Sequence, residues 1–294
     1  MRYALFLGCT IPARSRNYEM SARAVAEKLG IELLDIEDFS CCGFPLKSSD
    51  RASAELLAAR NLALAEERGV PIVTLCSSCN SMLAETAHHL SHSDEDLHLV
   101  NEQLQKVGRE YKGNTTVKHF ARVLLEDVGI DRIKENLVQD LNGIPIATHY
   151  GCHYIKPTEI YPGGENPDHP DSLDQLLEAV GARAVTHGME RDCCGGPVLV
   201  TDEQTALAMA KQKLDKVKAS GAKAMTLVCP FCSVMYDDNQ KSIEAQFDVS
   251  YQIPVLYLPQ VIGLALGLDR KVLGLNLNVV KTKAFTEQIL SEQG

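Results

Sequence analysis

The chain has 294 residues, of which 45% are hydrophobic and 23% are charged, a composition typical of soluble globular proteins and not of disordered or fibrous ones. Its formal net charge of −10 argues against a nucleic-acid partner, because phosphate binding depends on clustered Lys and Arg. No uncharged stretch reaches the roughly 18 residues that a membrane-spanning helix needs, and the first ten residues lack a signal-peptide pattern. We therefore expect a folded cytoplasmic protein without a membrane span.

Two short apolar runs near the start of the chain predict buried strands that each deliver a thiol. Residues 3–8 are followed by Cys9, and residues 70–75 are followed by Cys76. Alanine-rich stretches with apolar residues at helical spacing end at glycines between these runs. The two helices are expected at residues 18–29 and 53–68.

The next stretch, residues 85–140, is polar and helical in character, and we expect its helices to pack on the first sheet and to link it to the rest of the chain. Five of the nine histidines lie there, and the four at residues 88–98 invite a metal interpretation. We interpret them as a solvated surface instead, because they occupy a charged stretch without a companion cysteine. The four are His88, His89, His92 and His98.

The second part of the chain repeats the pattern of the first. Residues 144–151 end at Cys152 and residues 222–228 end at Cys229, as strands would. Helices are expected at residues 172–180 and 203–219. A Pro- and Gly-rich loop, residues 161–170, lengthens this copy, and it is either a cover over the second site or a plain surface insertion.

Strands that alternate with helices of this length indicate right-handed βαβ units. The expected fold class is α/β, with two pseudo-symmetric Rossmann-like halves, each a small, mostly parallel sheet flanked by helices. We place the first half at residues 1–143, including the helical linker 85–140, and the second at residues 144–294. Ligands of such sheets bind beyond the carboxyl ends of the strands, where the strand-end cysteines are expected.

The ten cysteines form two copies of one pattern: a lone Cys, a Cys-Cys-Gly and a Cys-x-x-Cys. In the two copies, 31 and 40 residues separate the lone Cys from the pair, and 33 and 34 separate the pair from the Cys-x-x-Cys. Thiolates are soft ligands for zinc and iron–sulfur centres, so two such centres are predicted. The sets are Cys9, Cys41, Cys42, Cys76 and Cys79, and then Cys152, Cys193, Cys194, Cys229 and Cys232.

Five cysteines with one Cys-x-x-Cys per set do not match a structural zinc site, which takes four ligands. The adjacent pair chelates one ion poorly, because neighbouring side chains on extended backbone point to opposite sides. The pair could bind different irons of a cluster if the following Gly43 or Gly195 permits a tight turn. The spacing therefore favours a cluster over one ion.

Over essentially its whole length the chain resembles the duplicated CCG domain found in the B subunit of heterodisulfide reductase. The resemblance implies that each set of five cysteines ligates a noncubane [4Fe-4S] cluster, giving two clusters and ten metal ligands. It also implies reductive cleavage of a disulfide between them, in methanogenesis the CoM-S-S-CoB heterodisulfide, which yields CoM-SH and CoB-SH. The alternative is an electron-relay CCG subunit of another oxidoreductase complex, in bacterial sulfur or organic-acid metabolism, with a different substrate or none.

No ferredoxin-type cysteine run is left over, and the Gly-rich phrases lack phosphate-binding spacing, so no flavin or NAD site is expected in this chain. The resemblance implies that partners complete the enzyme. They are the ferredoxin-like iron–sulfur C subunit and, through it, the flavin-containing A subunit.

Other candidate site residues lie close to the cysteines in sequence. Arg14, Lys47 and Lys156 could pair with anionic groups of a substrate, or they are surface charges. His149 and His153 flank Cys152 and are possible proton donors or hydrogen-bond donors to cluster sulfide. For His149 a packed strand histidine is the competing interpretation.

Overall fold

The computed structural model describes residues 1–161 and 165–291, and it contains two four-stranded sheets in which all pairings are parallel. The strand orders are β2-β1-β3-β4 and β6-β5-β7-β8. The strands are β1 Arg2–Phe6, β2 Glu32–Leu34, β3 Ile72–Thr74, β4 Val117–His119, β5 Pro145–His149, β6 Arg183–Val185, β7 Ala224–Leu227 and β8 Val255–Tyr257.

Helices cover both sheets, and none in the described part of the chain is long and apolar enough to cross a bilayer. Short π-helical turns follow α6 and α10, at Val123–Val128 and Val234–Asp238. The helices are α1 Thr10–Arg14, α2 Arg16–Lys28, α3 Arg51–Glu67, α4 Ser77–Ser91, α5 Asp94–Leu104, α6 Phe120–Arg122, α7 Ile130–Glu135, α8 Ser172–Ala179, α9 Glu203–Ala219, α10 Pro230–Ser233, α11 Gln240–Phe247, α12 Leu258–Ala265 and α13 Lys283–Ser291.

The sheet order explains where a site can form. In each half the first strand lies inside the sheet, with its neighbours added on either side through helical crossovers. All carboxyl ends of one sheet therefore meet at one edge, where the loops converge. This α/β architecture of two similar halves confirms the predicted fold class.

The expected strands and helices are found with bounds shifted by up to two residues, and α9 matches its expected bounds. The sequence prediction missed the three-residue strands β2, β4, β6 and β8. The expectation that residues 85–140 are helical was incomplete, because β4 lies within them and extends the first sheet beside β3. The three residues of β4, with lysine in the centre, are too few to show an alternation of apolar and polar residues. Pairing with the neighbouring strand decides their conformation.

The two halves pack through equivalent elements in a reciprocal way. Helix α2 of the first half packs on α12 of the second, and α8 packs on the segment from α6 to α7. Buried Tyr18 and Tyr257 stack across one contact with ring centroids 4.0 Å apart. Across the other, His119 meets Tyr154 edge to face at 5.1 Å. This interface brings the carboxyl edges of the two sheets together.

Candidate functional site

Strand ends and the helix starts beyond them position six of the ten cysteines. Cys76 and Cys229 follow β3 and β7 and are the N-cap residues of α4 and α10, with extended backbone. The second cysteine of each Cys-x-x-Cys lies three residues on, so both thiols of the motif face the same end of the helix. Cys9 and Cys152 each lie three residues after the end of an inner strand, β1 or β5.

The Cys-Cys-Gly turns have the tight geometry that the sequence suggested. Gly43 and Gly195 have φ of +90° and +84°, in the left-handed region that favours glycine. Their N–H groups donate to the sulfurs two residues earlier, Cys41 at 3.5 Å and Cys193 at 3.4 Å. Each turn therefore holds its cysteine pair by a backbone N–H···S bond.

A cavity of about 320 Å³ lies where the two sheet edges meet. Nine of the ten cysteines line it, and Cys41 is not among the lining residues. All ten are free thiols. Within each half the thiols lie close enough to shift one another's pKa, and between the halves Cys76 and Cys229 do the same. The lining cysteines are Cys9, Cys42, Cys76, Cys79, Cys152, Cys193, Cys194, Cys229 and Cys232.

These thiols are spread over a volume larger than a single-ion site. Over the described residues, no group of three His, Cys, Asp or Glu side chains is arranged to hold one metal ion.

The histidine-rich stretch shows surface pairing: the rings of His88 and His92 lie 4.3 Å apart, and His89 Nε2 lies 3.2 Å from an Asp96 oxygen.

The donor set fits an iron–sulfur cluster in each half. Soft thiols from three segments converge, and backbone N–H groups already point at sulfur, as cluster sites require. Behind the second set, two buried polar atoms, His149 Nε2 and the Tyr236 hydroxyl, have no hydrogen-bond partner in the structure. A buried donor without a partner is costly, so such atoms indicate that a further acceptor belongs nearby.

The structure places the three basic candidates off the cavity wall, whose described residues include no Lys or Arg. Lys47 Nζ is 2.6 Å from a Glu85 oxygen in a half-buried ion pair. Arg14 is the last residue of α1, Lys156 lies in the loop after Cys152, and both are exposed. The wall between the cysteines is instead apolar and includes Leu7, Phe44, Pro45, Pro197, Pro230 and Phe231.

The two histidine candidates occupy different positions. His153 lines the cavity, its ring meets Phe44 edge to face at 4.7 Å, and burial lowers its pKa. His149 is fully buried at the end of β5, where burial and then the Lys213 charge hold its pKa well below the ordinary value. Its Nδ1 lies 3.0 Å from Lys213 Nζ.

Part of the loop at residues 161–170 lies outside the described residues, namely 162–164. On its described ends, the Tyr161 hydroxyl accepts from Asn80 Nδ2 at 2.9 Å and donates to the His153 carbonyl at 3.2 Å. Buried Glu165 accepts the N–H groups of Asp171 and Ser172 at 2.6 and 3.0 Å. The Tyr161 end therefore binds the loop to both halves beside the cavity.

Sequence reasoning missed Lys213 and Tyr236, the buried polar residues behind the second cysteine set. The available signal was a comparison of the two repeats outside the cysteines. At the equivalent positions the first half carries the neutral Asn61 and the apolar Leu83.

Comparison with known proteins agrees with the duplicated site. The cysteine-rich domain family named CCG matches residues 3–84 and 146–237. Among solved structures, a hypothetical protein from Helicobacter pylori aligns with a TM-score of 0.76 at 18% identity. The alignment covers 95% of this chain and 52% of that one, so the chain spans about half of its length. At this identity the likeness concerns the fold alone.

Three curated relatives align over nearly their whole length. The chain is 37% identical to a protein of Archaeoglobus profundus described as similar to the heterodisulfide reductase B subunit, with 94% of each chain covered. It is 34% identical to the B subunit of the ferredoxin/F420H2-dependent CoB-CoM heterodisulfide reductase of Methanosarcina acetivorans, over 98% of this chain and 97% of that one. It is 33% identical to the 8-methylmenaquinol:fumarate reductase membrane anchor subunit of Wolinella succinogenes, over 95% and 96%. With two matched cysteine-rich domains and these full-length alignments, the chain belongs to the family of heterodisulfide reductase B subunits, which are components of oxidoreductases.

Proposed function

We propose that the chain is the catalytic subunit of a cytoplasmic heterodisulfide reductase complex. The reaction consumes CoM-S-S-CoB, two electrons and two protons, breaks the S–S bond and yields CoM-SH and CoB-SH. One observation carries the proposal: a single cavity is lined by cysteines of both sets, so a two-sulfur substrate can face both sites at once.

In this proposal each set of five cysteines holds one noncubane [4Fe-4S] cluster. When bound, the two clusters would supply the two electrons that the disulfide needs. The chain's own contribution is to orient the thiols through the glycine turns and the helix starts. The backbone N–H groups at Gly43 and Gly195 would stabilise negative charge on sulfur, as N–H···S bonds do in iron–sulfur proteins.

The cavity wall suits a substrate with an apolar reacting region. Phe44, Phe231 and the lining prolines present apolar surface to a substrate bound between the cysteine sets. His153, half-buried on this wall, is the residue we assign as proton donor to a product thiolate. Burial lowers its pKa, so the neutral ring predominates near pH 7 and would have to take up a proton before passing it to a product thiolate.

The charged ends of the substrate would be bound outside this wall. Arg14 and Lys156 are exposed and lie close in sequence to the lining residues Thr10 and Cys152, so they can meet an anionic group at the rim. Lys47 already pairs with Glu85, so it would contribute less net charge. We assign these three as rim contacts, with Arg14 and Lys156 the stronger ones.

A second function, electron relay without a substrate, is favoured by one comparison. The relative from Wolinella succinogenes carries the name of a fumarate reductase component and is 33% identical. Tightly abutted halves would suit relay, whereas an open cavity between the cysteine sets suits a substrate. The cavity of about 320 Å³ therefore favours the disulfide reductase.

A stoichiometric reaction separates the two functions. The anaerobically purified protein is reduced with dithionite, freed of excess reductant and mixed with CoM-S-S-CoB, and free thiols are counted. Disulfide reduction predicts two thiols for every two electrons lost from the protein. A relay protein would lose its electrons to a redox partner and leave the disulfide intact.

The proposed partners are the ferredoxin-like C subunit and, through it, the flavin-containing A subunit. Anaerobic purification of the tagged chain from its native source tests them. Recovery of both partners supports the complex, and recovery of the chain without an iron–sulfur partner contradicts it.

A further inference from the structure

The second cysteine set has a buried polar layer behind it, formed by Lys213, His149 and Tyr236. Lys213 is 0% exposed, and its ammonium donates to the Asp192 carbonyl at 2.6 Å and to His149 Nδ1 at 3.0 Å. The His149 ring lies edge to face against Tyr236, with centroids 5.1 Å apart. Lys213 Nζ also lies 5.8 Å from the centre of the Tyr236 ring. One positive charge is thus enclosed with two further polar groups.

The Lys213 contact fixes which nitrogen of His149 carries the proton. An ammonium only donates, so Nδ1 accepts and the neutral ring carries its hydrogen on Nε2. That Nε2–H is buried and has no partner. A Cβ built on Gly151, which lines the cavity, would lie 3.3 Å from His149 Nε2 and 3.6 Å from Cys232 Sγ. The free donor therefore lies on the side of the cysteines.

Tyr236 offers a second donor to the same place. Its hydroxyl is buried and without a partner. A tyrosine hydroxyl is protonated at neutral pH, so it can donate a hydrogen bond.

The first half lacks all three groups. Phe6 stands three residues before Cys9, as His149 stands before Cys152, and its ring packs on Phe39 at 5.0 Å. Asn61 stands eleven residues after the N-cap Asp50, as Lys213 does after Asp202, and its amide is satisfied by the Cys41 and Leu57 carbonyls. The position equivalent to Tyr236 is Leu83, four residues after its Cys-x-x-Cys.

We propose that the Lys213, His149 and Tyr236 layer makes the second iron–sulfur centre the higher-potential member of the pair. An electron arriving from an iron–sulfur donor protein would then reside on the second centre, and the first centre would be the stronger reductant. A positive charge and N–H or O–H donors near sulfur both favour the reduced cluster, which carries one more negative charge. This inference rests on the proposed function only in requiring a cluster in each cysteine set.

The expected size follows from Coulomb's law. At the effective dielectric constant of proteins, a unit charge several ångströms from a buried centre changes the equilibrium constant for reduction of that centre by about tenfold or more. A tenfold change for one electron corresponds to about 59 mV. The test is a redox titration followed by electron paramagnetic resonance at pH 7 on the anaerobic holoprotein.

Lys213→Asn copies the first half, and Lys216→Asn is the matched control, an exposed lysine lost from the same helix. We expect Lys213→Asn to lower the equilibrium constant for reduction of one centre about tenfold. Lys216→Asn should change this constant by less than about twofold at either centre. A Cys79→Ser background, which damages the first set, identifies the shifted signal as the second centre. His149→Phe, which copies Phe6, should shift the same centre in the same direction by less.

Equal potentials in Lys213→Asn and Lys216→Asn would overturn the inference, as would a shift confined to the first centre. Where Lys213→Asn does not assemble, Lys213→Arg and His149→Phe decide: the first must keep the potential and the second must lower it. A wild-type protein with no iron–sulfur signal would instead overturn the proposed function, and the inference with it.

Discussion

The thiols of Cys76 and Cys229 lie close enough across the interface of the two halves for each to shift the pKa of the other, and the two residues occupy equivalent places in the repeat. Each follows the second inner strand of its sheet and caps the helix that carries the rest of the Cys-x-x-Cys. The pseudo-twofold relation therefore passes between these sulfurs. Two sites built on this pair would share one cavity.

Loss of one thiol should damage one site and spare the other. Cys79→Ser removes a buried thiol that we propose as a ligand of the first cluster, so the variant should retain about half of the wild-type iron, and the reciprocal Cys232→Ser should do the same. Ser78→Ala, a buried neighbour on the cavity wall, is the control and should keep full iron. Complete loss of iron in Cys79→Ser would show that the two sets form one joint centre instead.

The glycine turns should be sensitive to a single methyl group. A Cβ on Gly43 would clash with the Ala54 carbonyl oxygen, whereas one on Gly69 has nothing within 4 Å, and both residues have positive φ. Gly69→Ala should cost about 1–2 kcal/mol of unfolding free energy from backbone strain alone. Gly43→Ala should cost clearly more and should lose iron. Denaturant unfolding and iron content measure both, and equal losses in the two variants would contradict the packing account.

The stacked pair of Tyr18 and Tyr257 should couple the two halves energetically. Leucine at either position removes the stacking, and a double-mutant cycle should give a coupling of about 1 kcal/mol. Tyr257→Phe keeps the ring and loses only the hydroxyl, so its cycle with Tyr18→Leu should retain the ring coupling. Strict additivity of Tyr18→Leu and Tyr257→Leu in chemical denaturation would exclude a coupled interface.

His119 should make stability depend on pH. Burial lowers its pKa to about 4, below the ordinary 6.5, while Nε2 lies 3.0 Å from the Val228 carbonyl of the other half. Between pH 6.5 and 4 the unfolded chain binds more protons at this site. The contribution of His119 to the unfolding free energy is therefore fully present above about pH 6.5. It is lost as the pH falls to about 4, a decrease of about 3 kcal/mol in total.

The comparison of wild type with His119→Gln isolates this contribution from that of the other histidines. Unfolding free energies between pH 4 and 7 should depend less on pH in the variant. Exposed His98→Gln serves as the control and should reproduce the wild-type slope. A His119→Gln profile parallel to the wild type would remove His119 as the cause.

The sequence predicted the fold class and the family because both depend on repeated, local signals. Local sequence is enough to predict that a strand ends before Cys76 or Cys229 and that a helix ends at a glycine. Strand β4 was missed because Val117–His119 has no alternation, and its conformation comes from pairing with β3. The ten-cysteine ligand set and the half boundaries near residue 143 remain predictions that the structure accommodates.

The surroundings of the site were less predictable. Lys47 was a candidate for a substrate contact or a surface charge, and its pairing with Glu85 depends on two segments 38 residues apart. Lys213 looked like one more helical lysine, since helix α9 carries several, and only the packing of α9 on β5 buries it against His149. Local sequence patterns indicate which residues can be metal ligands. Tertiary packing decides which polar side chains are buried next to them.

The central claim, two four-iron clusters held by ten thiols, is tested most directly by metal and acid-labile sulfide analysis of the anaerobically purified chain. The account predicts a brown protein with about eight irons and a similar amount of sulfide per chain. A colourless protein that contains two zinc ions and no sulfide would contradict it.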